Sequence, residues 1–399
     1  MHNHIQRLHQ LASKPDRLIV GLMSGTSLDG LDVALCRISN AGLSSKIELL
    51  EFTTVDYDHT YRQRIKSVFS KRQVDLQQLC LLNPWIGTLH GNMVLRCLEQ
   101  WGVRPEQVDL IASHGQTVYH APKSEHQLEN YPNATLQIGD GDHLACAAGI
   151  ITLSDFRQKH LAAGGEGAPL AVYGDYLIFA SPKQNRVMLN MGGIANLTYL
   201  PSSMDASAVF STDVGPGNTL MDAYMQQHFN QNYDANAAVA GSGEVSGPLL
   251  KALQQNSFFA LPFPKTTGPE LFNLDYLARA QAASQTENLD HQDVMATLNQ
   301  FSANMIALAL KRCADKLGDY HLYASGGGYH NPLLMENIAK QVSAVPIHST
   351  AELEIDPDAK EAVLFAVLAN ECVAGGKDKF SNINEGIPDI TMGKVSFYD

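Results

Sequence analysis

The chain lacks an excess of positive charge and any long apolar run, and each absence excludes a class of partner. Its 28 lysines and arginines are outnumbered by 41 aspartates and glutamates, which gives a formal net charge of −13. This balance argues against nucleic acid or an anionic membrane surface as a partner. No stretch of the sequence is long and apolar enough to predict a membrane-spanning helix. A phosphate-bearing ligand must therefore be attracted by local features such as backbone N–H groups, arginine or a metal ion.

Paired cysteines are also missing, because none of the six cysteines forms a Cys-x-x-Cys motif. We predict buried free thiols in a reducing compartment, not disulfides or zinc ligands. The first 15 residues contain His2, His4 and His9 but no apolar core, so we interpret them as a solvated extension and not as a secretion signal. Metal binding by these histidines is the less favoured alternative. The expected location of the protein is the cytoplasm.

The 399 residues are ordinary in composition, with 45% hydrophobic and 17% charged side chains, and predict two domains of similar size. We place the boundary at Ser-Pro-Lys (181–183), with an N-terminal lobe of residues 1–180 and a C-terminal lobe of 181–399. As an alternative, a final helix that begins at about residue 360 packs back on the first lobe. An apolar strand, a glycine turn and a second strand occur at 18–38 and again at 187–200. This repeat predicts two related domains that face each other across a cleft.

The first of these hairpins has the composition of an anion-binding turn. Its apolar flanks are separated by glycines and small hydroxyl residues at 24–30, whose backbone can approach an anion. No lysine follows the second glycine, which excludes a Walker P-loop. No amphipathic helix follows, which argues against a dinucleotide-binding turn. A plain turn is the alternative for this segment taken alone.

Three later segments place polar or glycine residues at the ends of predicted strands. Residues 113–117 (Ser-His-Gly-Gln-Thr) follow a short strand at 108–112, where ligands sit in open α/β sheets. Asp213 precedes a Gly-Pro-Gly turn that opens a helix. The glycines at 326–328 join a strand to a helix, so their backbone can lie flat against a planar base.

Taken together, these strings resemble one family, the anhydro-N-acetylmuramic acid kinases of the sugar kinase/Hsp70/actin superfamily. The resemblance runs from about residue 18 to the helix at 360. It is carried by Gly-Leu-Met-Ser-Gly-Thr-Ser-Leu-Asp-Gly-Leu-Asp (21–32), Ser-His-Gly-Gln-Thr (113–117), Gln-Ile-Gly-Asp (137–140), Asp-Phe-Arg (155–157), Ala-Ala-Gly-Gly-Glu-Gly-Ala-Pro-Leu (162–170), Asn-Met-Gly-Gly-Ile-Ala-Asn (190–196) and Asp-Val-Gly-Pro-Gly-Asn (213–218).

The resemblance implies an α/β, two-domain actin-like ATPase (ribonuclease H-like) fold with an interdomain cleft. It also implies an ATP-dependent kinase with Mg²⁺ as cofactor. Such an enzyme opens 1,6-anhydro-N-acetylmuramic acid with water and phosphorylates O6, giving N-acetylmuramic acid 6-phosphate in peptidoglycan recycling. A homodimer is implied as well, with neither nucleic acid nor membrane as a partner.

Site residues are implied position by position. Asp213 matches the catalytic carboxylate that takes a proton from water, and Glu361 matches a second acid near the site. Asp29 and Asp32 are assigned to Mg²⁺. The sugar side comprises Ser113, His114, Gln116, Thr117, Asp155 and Arg157. The nucleotide side comprises Gly25, Thr26, Ser27, Asp29, Gly30, Asp32, Gly192, Gly193, Gly215, Gly217, Asn218, Gly326, Gly327, Gly328 and Asn331.

Several of these residues have a second interpretation. Asp213 could instead cap a turn, and Asp155 is the other candidate for the carboxylate that faces the water. Glu361 has the alternative of an exposed helix carboxylate, and Asp32 that of a strand-edge residue. Arg157 would either pair with the lactyl carboxylate or bridge carboxylates within the fold.

Two other functions fit parts of the pattern. A nucleotide-gated regulatory protein of the actin/Hsp70 type would share the glycine turns. However, the sequence has no basic helix-turn-helix segment, extended peptide-binding domain or charged tail. A sugar kinase without ring opening is the third possibility, and labelled water at C1 of the product would separate it from the first.

Overall fold

The computed structural model describes residues 3–168, 170–375, 388 and 390–399, without the side chains of residues 124 and 313–317. His2, the Cys313 thiol and Pro169 of the motif at 162–170 therefore lie outside the described part.

Twelve strands and thirteen α-helices are assigned within this part of the chain. The strands are β1 (Asp16–Ser24), β2 (Gly30–Ser39), β3 (Lys46–Asp56), β4 (Leu110–Ala121), β5 (Ala134–Ile138), β6 (Thr152–Ser154), β7 (Asn185–Met191), β8 (Ile194–Leu200), β9 (Phe210–Pro216), β10 (Tyr320–Ser325), β11 (Ile347–Ser349) and β12 (Lys394–Ser396). The helices are α1 (Asn3–Ser13), α2 (His59–Val68), α3 (Leu76–Gln100), α4 (Lys123–His126), α5 (Gly141–Ala148), α6 (Phe156–Ala162), α7 (Ala171–Phe179), α8 (Thr219–Phe229), α9 (Gly247–Leu253), α10 (Leu274–Ser284), α11 (His291–Leu317), α12 (Pro332–Gln341) and α13 (Lys360–Ala374).

The chain forms two compact units. The first contains Met1–Phe179 together with Ala359–Asp399, and the second contains Ala180–Asp358. Helix α13 therefore belongs to the first unit, and its close approach to strand β1 depends on one glycine. A Cβ on Gly21 would lie 1.9 Å from the carbonyl oxygen of Ala362, so only glycine permits this packing.

The sheet of the first unit has seven strands in the order β12-β6-β4-β1-β2-β3, with β5 paired to β4. Strands β1, β2 and β3 are antiparallel neighbours, whereas β4 and β6 continue from β1 in parallel. Leu22, Val33 and Ile111 on these strands pack with Ile65 of α2 and Ile86 of α3 in one core. Strands β1, β2 and β4 are buried over most of their length, as expected for the centre of a sheet that is covered on both faces.

The five-stranded sheet of the second unit has the order β11-β10-β7-β8-β9, which corresponds to β6-β4-β1-β2-β3 in the first unit. Here β7, β8 and β9 are antiparallel neighbours, and β10 and β11 continue from β7 in parallel. Thus each unit contains three antiparallel strands followed in sequence by parallel strands that continue the sheet from the first of them. This repeated arrangement confirms the predicted α/β class with an actin-like ATPase (ribonuclease H-like) topology.

Three local predictions are wrong. Residues 113–117 lie within strand β4 and not in a loop after it, because β4 continues by pairing Gln116 with Ile138 of β5. The N-terminal extension forms helix α1, which buries His4 and Leu11. Among the cysteines, all five with described side chains are free, but Cys80 and Cys146 are exposed because they lie on outer faces of helices.

No helix in the described ranges combines the length and apolar character needed to cross a bilayer.

Candidate functional site

The turn of the first hairpin projects a short polar segment from the end of β1. Thr26, Ser27 and Asp29 are exposed, whereas Leu28 is buried with a φ of 59°. Asp29 closes the turn through its Oδ1 atom, which accepts hydrogen bonds from Ser27 Oγ at 2.7 Å and from the Gly30 N–H at 2.9 Å. A Cβ on Gly25 would meet only Ser27 Oγ, at 3.4 Å, so the backbone there is open to a ligand. The segment can therefore present N–H groups to an anion.

A buried polar network lies beneath this turn. Ser24 Oγ donates to Gln116 Oε1 at 2.7 Å and lies 2.7 Å from the Tyr57 hydroxyl. The same Tyr57 hydroxyl is 2.9 Å from His90 Nε2, and Gln116 Nε2 donates to the Gly25 carbonyl at 3.3 Å. Burial lowers the pKa of His90 to about 3, so its imidazole is neutral. Gln116, predicted to bind the sugar, thus holds the hairpin from inside the protein.

Asp29 and Asp32 are the residues assigned to a metal ion. No described residue donates a hydrogen bond to Asp29 Oδ2, while Asp32 Oδ1 accepts one from Thr54 Oγ1 at 2.6 Å. Among the residues whose placement is known, no three His, Cys, Asp or Glu side chains form a metal-binding group. This donor set fits Mg²⁺, which commonly uses one or two carboxylates and fills its remaining positions with phosphate oxygens and water.

The other sugar-side residues of β4 are largely internal. Ser113 and His114 are buried, and Thr117 Oγ1 accepts from Gln137 Nε2 at 3.1 Å. His114 Nε2 accepts a hydrogen bond from Arg157 Nε at 3.0 Å. Burial, together with the Arg157 charge, lowers the pKa of His114 to about 3, so the ring is neutral and can accept this bond.

Arg157 and Asp155 begin helix α6 but differ in their partners. Arg157 donates through Nη1 to the Gly167 carbonyl at 2.6 Å, in addition to its bond to His114. Burial lowers the pKa of Arg157 to about 10, partly offset by Glu361. Asp155, with a φ of 57°, forms an ion pair with Lys394. Arg157 is thus held by neutral acceptors in the fold, and its nearby anion is Glu361.

Glu361 lies in the first turn of α13, where the helix dipole favours a negative charge. Its side chain is open to solvent. Nearby protein groups nevertheless exclude part of the water around the carboxylate, and this desolvation raises the pKa of Glu361. The positive charges of Lys360 and Arg157 act in the opposite direction. The neighbouring Lys360 is buried and pairs with the buried carboxylate of Asp175 on α7 at 2.8 Å. This buried pair fixes the start of α13 and hence the position of Glu361.

In the second unit, Asp213 lies on β9 with a half-buried side chain. Its Oδ2 atom accepts a hydrogen bond from the Thr267 backbone N–H at 2.9 Å, and no described residue donates to Oδ1. Desolvation raises the pKa of Asp213 to about 6; Glu270 adds to this shift, and the Thr267 N–H and Lys265 oppose it. A carboxylate with this pKa and one free oxygen suits a general base near neutral pH.

Backbone hydrogen bonds hold the second glycine hairpin. The N–H groups of Gly217 and Asn218 donate to the carbonyls of Gly193 and Gly192 at 2.8 and 2.9 Å. A Cβ on Gly217 would lie 2.3 Å from the Gly192 oxygen, whereas one on Gly193 would meet nothing nearer than 3.7 Å. Gly217 is therefore required for packing, and Gly192 and Gly193 border open space. Gly215 has a φ of 144° and a Cβ there would lie 3.0 Å from the Phe259 ring.

The glycines after β10 pack against this hairpin. Gly326 has a φ of 82°, and a Cβ on it would lie 2.5 Å from Asn190 Oδ1. A Cβ on Gly328 would lie 2.7 Å from the Cβ of Met191, while Gly327 is exposed. Asn331 caps helix α12, since its Oδ1 accepts from the Leu334 N–H at 2.9 Å.

One part of this site, the loop at residues 261–268, has no recognisable functional motif in the sequence. Lys265 and Thr267 of this loop form hydrogen bonds with Thr212 and Asp213 of β9. The segment lies about 50 residues after Asp213, and no periodic pattern signals such a pairing. Its Pro-Lys-Thr-Thr-Gly composition predicts only a turn. The buried Ser24–Tyr57–His90 network was missed for the same reason, because its members come from three separate elements.

Comparison with known proteins identifies the family. A family model described as anhydro-N-acetylmuramic acid kinase matches residues 17–384. A protein of that name from Pseudoalteromonas atlantica is 63% identical over the full length of both chains. Another, from Caldanaerobacter subterraneus subsp. tengcongensis, is 34% identical over 98% of this chain and all of its own.

Among solved structures, the activator of the 2-hydroxyisocaproyl-CoA dehydratase from Clostridium difficile with bound ADPNP is similar over 90% of this chain and 96% of its own. Its TM-score is 0.43 and its sequence identity 12%, so it adds nothing to the assignment. The family model and the two relatives each cover nearly the whole sequence. The chain therefore belongs to the anhydro-N-acetylmuramic acid kinase family.

Proposed function

We propose that this enzyme uses ATP and water to convert 1,6-anhydro-N-acetylmuramic acid into N-acetylmuramic acid 6-phosphate and ADP, with Asp213 as the general base. The observation that carries the assignment of Asp213 is its geometry: the Thr267 N–H holds one carboxylate oxygen, and none of the described residues donates to the other. Its pKa, raised to about 6, leaves the group ionised at neutral pH and able to take a proton.

The bonds and protons of this reaction balance as follows. The oxygen of water bonds to C1 of the sugar as the C1–O6 bond breaks, and Asp213 takes the water proton. The released O6 bonds to the γ-phosphorus of ATP while the bond from that phosphorus to the β,γ-bridging oxygen breaks, giving ADP. The transition state at C1 resembles an oxocarbenium ion, as in an inverting glycosidase. No general acid is required at O6, because O6 bonds to phosphorus.

The residues of each unit have distinct tasks in this proposal. Backbone N–H groups at 25–27 bind phosphate oxygens, and the open backbone at Gly192 and Gly193 borders the nucleotide. Asp29, through its free Oδ2, would hold Mg²⁺ with Asp32 nearby, and the ion would neutralise charge on the transferring phosphoryl group. Arg157 provides a positive charge for the lactyl carboxylate, while Glu361 assists near the reacting groups.

The experiment that tests the proposal uses Mg-ATP, the anhydro-sugar and ¹⁸O-labelled water, with the product analysed by mass spectrometry. We expect one ¹⁸O at C1 and none in the phosphate. Phosphorylated product without label at C1 would instead indicate a sugar kinase that leaves the ring bond to another enzyme.

The family resemblance extends the proposal to the enzyme's setting. We propose a cytoplasmic homodimer that acts in peptidoglycan recycling. Light scattering of the purified protein at micromolar concentration would give twice the chain mass of 43.5 kDa, and a single-chain mass would contradict the dimer.

A further inference from the structure

The loop at 261–268 lies against β9 at the position of Asp213. The Asp213 N–H donates to the Lys265 carbonyl at 2.9 Å, and the Lys265 N–H donates to Thr212 Oγ1 at 3.0 Å. The Thr267 N–H then reaches the side chain of Asp213 itself, at Oδ2. Three hydrogen bonds therefore fix both the backbone and the carboxylate of the proposed base.

Lys265 anchors this loop through a buried ammonium group. Its Nζ donates to the Phe258 carbonyl at 2.9 Å, and its side chain is 8% exposed. The Phe258 and Phe263 ring centroids lie 4.1 and 5.1 Å from Nζ, so the charge is enclosed by aromatic faces. Arg312 holds the same loop by donating to the Phe259 and Leu261 carbonyls at 2.6 and 2.9 Å.

A buried lysine is energetically unfavourable as a purely structural anchor. Its ammonium has no carboxylate within ion-pair distance among the described residues, and burying such a charge is unfavourable. Burial and the charge of Arg312 lower its pKa to about 8, while Asp213 opposes the shift. An apolar side chain would fill the aromatic enclosure at a smaller cost. The positive charge is therefore best explained by its effect on Asp213.

We propose that Lys265 and Thr267 are positioning residues of this reaction. The Thr267 N–H occupies Oδ2 of Asp213 and leaves Oδ1 as the oxygen that takes the proton from water. Lys265 holds the loop in register with β9 and favours the ionised form of Asp213. The inference rests on the proposed role of Asp213 and deepens it.

Three substitutions separate the charge of Lys265 from its packing. Lys265→Met keeps an unbranched apolar chain, Lys265→Gln keeps a hydrogen-bond donor without charge, and Lys265→Arg keeps the charge. The measurement is kcat and KM for ATP as a function of pH with Mg-ATP and the anhydro-sugar. Lys340→Met is the matched control, because Lys340 is exposed and pairs with Glu336 on its own helix.

For both neutral variants we expect kcat at pH 7 to fall about ten-fold or more, with KM for ATP changed less than about three-fold. The acidic limb of the kcat profile is set by Asp213, with Glu270 and Lys265 as its charged neighbours, and should move to higher pH when the Lys265 charge is removed. Lys265→Arg should restore the limb, and Lys340→Met should match the wild type. Because Gln retains a donor for the Phe258 carbonyl, that variant carries the test if Met prevents folding.

An unmoved acidic limb in Lys265→Gln would overturn the role of the charge, even if kcat fell, and so would an equal shift in Lys265→Gln and Lys265→Arg. Asp213→Asn, measured in parallel, distinguishes a failure of the general-base role of Asp213 from a failure of the positioning role of Lys265. Near-normal turnover of Asp213→Asn would remove the general-base assignment and this inference with it. An inactive Asp213→Asn beside an unaltered Lys265→Gln would overturn the inference alone.

Discussion

The two glycine hairpins occupy equivalent places in sheets of the same strand order, yet different groups hold their turns. The first turn depends on side chains: Ser24 and Gln116 bond beneath it, and Arg62 donates to the Leu28 and Asp29 carbonyls at 3.0 and 3.2 Å. The second turn depends on backbone, through the N–H groups of residues 217–219 and the carbonyls of Gly192 and Gly193.

This difference shows that a shared topology does not determine how a turn is stabilised. A side-chain network can be weakened one hydrogen bond at a time, whereas a backbone contact fails when a Cβ is inserted. Loss of a polar side chain should therefore weaken the first turn most, whereas an added Cβ should disrupt the second turn at Gly217 more than the first at Gly25. The proposed acids differ similarly, since Asp213 is held by an amide while Glu361 is open to solvent.

The comparison of the two acids predicts the largest effect. Asp213→Asn should lower kcat about a thousand-fold or more, because the amide cannot accept the water proton, while binding of the sugar stays measurable by calorimetry. Glu361→Gln should lower kcat only about ten-fold, since its proposed role is assistance. Equal losses in the two variants would contradict this division of roles.

The second hairpin is tested by adding one methyl group at two of its glycines. Gly217→Ala should destabilise the protein by about 3 kcal/mol, because the new Cβ would lie 2.3 Å from the Gly192 oxygen. Gly193→Ala is the matched control and should cost less than about 1 kcal/mol, since its Cβ meets nothing nearer than 3.7 Å. Urea unfolding of both variants measures the difference, and a reversed order would contradict the packing described.

The first hairpin is tested by removing one hydroxyl from its network. Tyr57→Phe leaves His90 Nε2 without this partner and should cost about 1–3 kcal/mol in unfolding free energy. It should also raise KM for ATP, because Ser24 at the base of the turn loses a bond. Tyr131→Phe serves as control, since Tyr131 is 64% exposed. Unchanged stability and KM would show that the network does not support the turn.

The smallest and most gradual effect is that of pH on the wild-type enzyme. Activity should fall as the pH drops below about 6, because protonated Asp213 cannot act as a base. Stability should show the opposite sign: the folded protein binds this proton more tightly than the unfolded chain, so this contribution favours folding at low pH and is lost as pH rises through about 6. Asp213→Asn should remove that component from a pH series of unfolding curves.

Local patterns predicted much of the fold. The hairpin predicted at 187–200 is present as β7 (Asn185–Met191) and β8 (Ile194–Leu200), and the glycines at 326–328 lie between strand β10 and helix α12, which starts at Pro332. These segments carry their own signals, namely apolar runs bounded by turns and a proline in a first helical turn. The extension of β4 through residues 113–117 was not predicted, because it depends on pairing with β5, about 20 residues later.

In the candidate site, too, features with a local sequence signal were predicted and features that depend on long-range contacts were not. The motifs at 21–32 and 213–218 indicated where phosphate and proton chemistry would lie, and these assignments stay predictions until the variants above are measured. The role of Gln116 beneath the hairpin was not predictable, because hydrogen-bond partners at long sequence separation leave no local pattern.

The order of apolar and glycine segments by itself determined that this chain forms two α/β units, and its motifs determined the family, since both depend on residues close together in sequence. Only the tertiary structure decided which oxygen of Asp213 is free and why Gly217 and Gly21 must be glycine. The physical reason is distance: a hydrogen bond or a close backbone approach acts over about 3 Å in space, and its partners here lie tens to hundreds of residues apart in the chain.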